Sequence, residues 1–125
     1  MKLKDIVGRE FGEAVQQVMA CPIPALASYN LAKVSKITTE QQKLFNSARE
    51  SAVKRFADLR DDGSVKATEA GLVEFKSEAD KDACIKEINE LLDQEVEMPK
   101  VKLSSFGDAK IEPRALLALD HIIVE

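Results

Sequence analysis

A chain of 125 residues with a net charge of −4, no tryptophan and 5% aromatic residues holds one domain's worth of material, able to bury about two-thirds of the surface its unfolded form exposes. With so few aromatic side chains the core must come from Leu, Ile, Val and Ala, which favours helices over a β-sandwich. No apolar run approaches the ~18 residues of a membrane span, and acids and glycines interrupt any signal core in the first fifteen residues, so a soluble, unprocessed chain is expected.

Residues 3–20 alternate apolar Ile6, Val7, Phe11, Ala14, Val15, Val18 and Met19 with polar Lys4, Arg9, Glu10, Glu13 and Gln17 at helical spacing, with Gly8 and Gly12 as tolerated weak points. Cys21-Pro22-Ile23-Pro24 ends that helix and opens the next, predicting a short, stiff connection and an antiparallel hairpin. Residues 25–60 then run without proline or glycine, and Ala27, Leu31, Val34, Ile37, Leu44, Ala48, Ala52, Phe56 and Leu59 recur every three or four positions, with one gap of seven. A straight helix of that length would span about 54 Å, against a radius of gyration of about 14 Å for a compact domain of this size. Either it breaks near Ile37-Thr38-Thr39, or its apolar stripe packs on another copy or another protein.

Beyond Arg60 the composition changes. Asp61-Asp62-Gly63-Ser64 and Gly71 read as turns, and residues 65–67 and 72–76 as the strands of a small β-hairpin. Ser77-Glu78-Ala79-Asp80 has the form of a capping box, so a third helix starts near Glu78 and buries Ala83, Cys84, Ile85, Ile88, Leu91 and Leu92. Residues 95–103 alternate as an extended segment, which Pro99 limits to an edge strand. Glu112-Pro113 starts a final helix through the apolar run ALLALDHII, residues 115–123. The expected fold is α+β and predominantly α: a single domain, 1–125, with a helical hairpin over 3–60 and a β-hairpin with two further helices over 61–125.

The charge is uneven. Residues 1–60 carry ten Lys and Arg against six Asp and Glu, and residues 61–125 carry eight against sixteen. Complementary fields between halves or subunits explain this better than nucleic acid, because the basic residues are dispersed along a helix without stacking aromatics. Lys33, Lys36 and Arg49 are the candidates for a basic site.

Motifs that carry chemistry are scarce. Asp58 to Glu69 matches a calcium-binding loop in part, but Arg60 occupies a ligand position, so the segment reads as a turn. His121 is the single histidine, so no histidine dyad can be built within one chain. Cys21 and Cys84 lack a CxxC partner and read as free buried thiols of a reducing compartment. Phosphate loops, nucleophile elbows and HExxH do not occur. The expectation is a non-enzymatic protein without cofactor or metal.

Three segments together resemble a family of small proteins of unassigned activity encoded by tailed phages and prophages: residues 24–33 (PALASYNLAK), 45–50 (FNSARE) and 88–97 (INELLDQEVE), with an end like 111–120 (IEPRALLALD). The paired prolines at 22 and 24 depart from that pattern. The resemblance implies a phage setting; joined to the apolar stripe of the long helix and the lack of catalytic motifs, it leads to the expectation of an interaction protein, most simply a virion structural or assembly component acting in the host cytoplasm or in the particle. Its partners would be itself or another virion protein, met through Leu31, Val34, Ile37, Leu44, Phe45 and Ala48. The alternative is a host-directed inhibitor or sponge for a bacterial defence protein or nucleotide signal, which would need the basic site. Neither reading involves a membrane.

Overall fold

A computed structural model describes all of residues 1–125. The chain is mostly helical with a small β component: α1 (Leu3–Val7), α2 (Arg9–Met19), α3 (Ala25–Phe56), α4 (Glu78–Leu92), β1 (Val101–Lys102), a 3-10 turn (Leu103–Phe106), α5 (Pro113–Ala118) and β2 (Ile123–Val124). No helix is long and apolar enough to cross a membrane. Contacts gather into two compact units, residues 1–43 with 94–125, and residues 44–93. The division falls inside α3 and not near residue 60, where composition changes.

The first unit holds the main core. Ile6, Phe11, Ala14, Val15 and Val18 meet Ala27, Leu31 and Val34 from the start of α3, and Met98, Val101, Phe106, Ala115, Leu119 and Ile122 close the cluster. α2 and the first part of α3 run antiparallel: Gln16 Nε2 donates to Ser35 Oγ at 3.0 Å, while Gly12 lies opposite Gln42. Gly8 is extended (φ −64°, ψ 144°) and divides the expected first helix into α1 and α2. That conformation is open to any residue, so low helix propensity explains the break better than a need for glycine's freedom. Pro24 acts as foreseen, its carbonyl accepting from Ser28 N at 3.1 Å as α3 begins.

α3 does not break at Thr38. Its hydroxyl donates to the Val34 carbonyl at 2.8 Å, and Thr39 does the same to Ser35 at 3.0 Å. The buried hydroxyl therefore has a partner within its own helix, at little cost. The C-terminal helix is shorter than its composition implied. It stops at Ala118, and the chain turns through Leu119–Ile122 so that Ile123–Val124 pairs in parallel with Val101–Lys102, in the register Val101 to Ile123. β-branched Ile122, Ile123 and Val124 favour that pairing over another helical turn. Gly107 follows the 3-10 turn at φ 58°, with Pro24 Cγ 3.4 Å from where a β-carbon would sit.

The second unit contains the rest of α3, then α4, with residues 57–76 between them. These twenty residues contain the expected pairing of residues 65–67 with 72–76 and extend it, through residues 57–59, into a closed three-cornered element. Antiparallel bridges join Leu59 to Val65, Ala67 to Val73, and Ala57 to Phe75. At the centre three backbone bonds form a ring: Lys66 N donates to Asp58 O, Glu74 N to Lys66 O, and Asp58 N to Glu74 O, each 2.9 Å long. The corners are eight residues apart, and so are Gly63 (φ 86°) and Gly71 (φ 81°) in the two turns. Aligned by eights, ADLRDDGS, VKATEAGL and VEFK share alternating apolar and polar positions. α4 begins as predicted, with Ser77 Oγ accepting from Asp80 N at 3.1 Å.

Truncation of Leu31, which is fully buried, is expected to cost about 2–5 kcal/mol as Leu31→Ala, measured by urea denaturation. Gly63→Ala and Gly71→Ala each place a β-carbon in the left-handed region, at about 1–2 kcal/mol. The repeat requires the two losses to be similar.

Candidate interaction surface

The six residues expected to form one contact stripe on α3 divide between its two units. Leu31 and Val34 are fully buried and Ile37 is half-buried against the first unit's own core. As contact residues these are corrected: α2 and the C-terminal segment already cover them. Leu44, Phe45 and Ala48 belong to the second unit, where Leu44 is 64% exposed, Ala48 is exposed and Phe45 is half-buried.

The basic residues are not brought into one site. Lys33 and Lys36 lie exposed in the first unit and Arg49 lies exposed in the second. Lys33 Nζ sits 4.4 Å from the centroid of the Tyr29 ring, and the Arg49 guanidinium 5.8 Å from that of Phe45. Each cation therefore lies over an aromatic ring one turn earlier on its own helix, an ordinary surface pairing at i and i+4.

The calcium-like loop spends its carboxylates on itself. Asp58 Oδ2 is 3.4 Å from Lys66 Nζ, and Asp62 Oδ1 accepts from Ser64 N at 2.9 Å and from Ser64 Oγ at 2.6 Å. Those two bonds from Ser64 hold the Asp62 carboxyl below its ordinary range. Arg60 N donates to Ser64 O at 2.8 Å and completes the turn. No group of three or more His, Cys, Asp or Glu is gathered to hold a metal ion. His121 is exposed beyond α5, and its carbonyl accepts from Lys100 Nζ at 2.7 Å.

The second unit differs from the first in how much apolar surface it buries. Its buried hydrophobic residues are Ala52, Ala57 and Cys84, all small, with Val53, Phe56, Val65, Phe75, Ala83, Ile88, Leu91 and Leu92 half-buried. Leu44, Leu59, Leu72, Val73 and Ile85 are more than a third exposed, Leu72 by 67%. Ile85 corrects the expected buried face of α4. Arg55 Nη2 reaches Glu87 Oε1 at 2.6 Å between α3 and α4, a partly exposed pair worth no more than about 1 kcal/mol. The first unit also exposes large apolar side chains, Leu26, Tyr29, Leu103, Leu117 and Val124, so what sets the second unit apart is how few it buries. Gly63 and Gly71, eight residues apart with the same alternation before each, are the sequence signal that marks the closed element.

No family model, no curated protein and no solved structure matches the chain.

Burial pushes the Cys84 thiol above its ordinary value, and the Glu87 carboxylate adds to that, with Arg55 opposing. In the folded chain Cys84 stays protonated to higher pH than in the unfolded chain. The stability this gives is full below the unfolded thiol's pKa and lost as pH rises through the folded value. Native labelling with a thiol reagent is expected to reach half-buried Cys21 first and Cys84 only when the second unit opens. Equal rates at both would contradict the placement of Cys84.

Proposed function

We propose that this chain is a non-enzymatic interaction protein that works by protein–protein association, as a virion structural or assembly component of a tailed phage made in the host cytoplasm. The observation that carries the reading is the thin core of residues 44–93: Ala52, Ala57 and Cys84 are buried, while Leu44 and four other large apolar side chains stay exposed. Covering such surface contributes about 25 cal/mol per Å² of apolar area removed from water, so association gives this unit stability that its own packing does not. The likeness of residues 24–33, 45–50 and 88–97 to a phage and prophage family supports the biological setting. The contact surface is the exposed part of the α3 stripe, Leu44, Phe45 and Ala48, with copies of the chain as first partner.

Light scattering at low and high salt tests this. The wild-type chain is expected to be a multimer at both, because an apolar contact is not screened. Leu44→Glu is expected to be a monomer whose unfolding midpoint falls to that of the dissociated wild-type chain, because the exposed side chain contributes little within one copy and the stability that association adds is gone. A wild-type monomer across the accessible concentration range, unaffected by Leu44→Glu, would count against self-association.

A further inference from the structure

The repeat in residues 57–76 supplies an internal control for what the fold requires. Position eight of the first octad is Ser64, which follows Gly63 and accepts from Arg60 N through its carbonyl at 2.8 Å. Position eight of the second is Leu72, which follows Gly71 and accepts from Thr68 N through its carbonyl at 2.7 Å. The two residues make the same backbone bond in equivalent turns, so the turn does not need a leucine. Yet Leu72 is the most exposed large apolar residue of the second unit, at 67%. Beside it lies an open groove of about 600 Å³, lined by Leu72, Val73 and Phe75 with Glu74, Glu78 and Lys81 among its polar residues.

Charge narrows the occupant. Of the charged residues lining the groove, Glu74 and Glu78 are acidic, and Glu69, Lys76 and Asp80 adjoin its residues in the sequence. Lys81 adds one positive charge at the groove itself. An apolar floor whose lining carries two carboxylates against one ammonium disfavours acidic segments and favours a cationic one with an apolar face.

We propose that the groove beside Leu72 docks a basic amphipathic segment of a partner protein, with Leu72 as the apolar anchor and Glu74 and Glu78 selecting its charge. The inference rests on the association reading above and adds a second surface, distinct in residues from Leu44, Phe45 and Ala48, together with the chemistry of its partner.

The test uses the full chain labelled with nitrogen-15 and two synthetic amphipathic peptides of about 14 residues, four helical turns, one of Lys and Leu and one of Glu and Leu. The Lys/Leu peptide is expected to shift amides of residues 68–81 saturably, and the Glu/Leu peptide is not. Leu72→Ser copies the residue of the equivalent turn and is expected to retain a dispersed spectrum while weakening binding about tenfold or more, the equivalent of about 1.4 kcal/mol. Glu74→Lys with Glu78→Lys is expected to transfer the preference to the Glu/Leu peptide. Leu44→Glu is expected to leave peptide binding unchanged, so failure at the groove and failure of self-association through α3 are read separately. Equal binding of both peptides, shifts centred outside residues 68–81, wild-type affinity in Leu72→Ser, or the same shifts produced by protein concentration alone would overturn the proposal, the last by making a second copy the occupant.

Discussion

The architecture depends on α3 remaining helical through Thr38. A β-branched, polar stretch in the middle of a long helix is a natural place for it to end, and Thr38 is 95% buried, where an unmade hydrogen bond is expensive. The bond from its hydroxyl to the Val34 carbonyl removes that penalty inside the helix itself. The 32 residues of α3 can then serve two different cores. Its first part gives Ala27, Leu31 and Val34 to a cluster shared with α2 and the C-terminal segment, and its last turns give Ala52 to the second unit.

The two units are stabilised by different means. The first unit is held by burial of Ile, Leu, Val and Phe side chains, each worth about 1.5–3 kcal/mol when fully enclosed. The second relies more on hydrogen-bond closure: three backbone bonds tie residues 58, 66 and 74 into a ring, with a bond at each turn and the cap at Ser77. Backbone bonds contribute about 1 kcal/mol each, net of what water would supply. Such bonds fix a shape without covering the side chains that alternate with them, which explains why Leu59, Leu72 and Val73 remain accessible in a well-bonded element.

Periodicity in the sequence carried the helices well. The antiparallel pairing of residues 9–19 with the start of α3, the stop at Pro22, the start at Pro24 and the cap at Ser77 each follow from local chemistry, and local chemistry is what a sequence exposes. The stripe over residues 31–48 was equally visible, but periodicity says which side of a helix is apolar and not what covers it. Leu31 and Val34 are covered by the chain itself, while Leu44 is open. The closed element was missed because its third side joins Ala57 to Phe75 across eighteen residues, and a two-strand reading accounts for the same turns. The last strand was missed because DHIIVE fits both a helical and an extended pattern, and its partner Val101 is distant in sequence. Lys33, Lys36 and Arg49 share a helix but are divided between the two units, which periodicity along that helix does not show.

Native-state hydrogen exchange measures the central claim, that the chain joins a well-cored unit to one with a thin core. In dilute solution the slowest amides are predicted in α2 and residues 25–43 of α3, with residues 57–93 opening at a lower free energy and gaining protection as association is driven by concentration or partner. Exchange of residues 57–93 at the same free energy as α2, unchanged by association, would contradict the account and make the second unit self-sufficient.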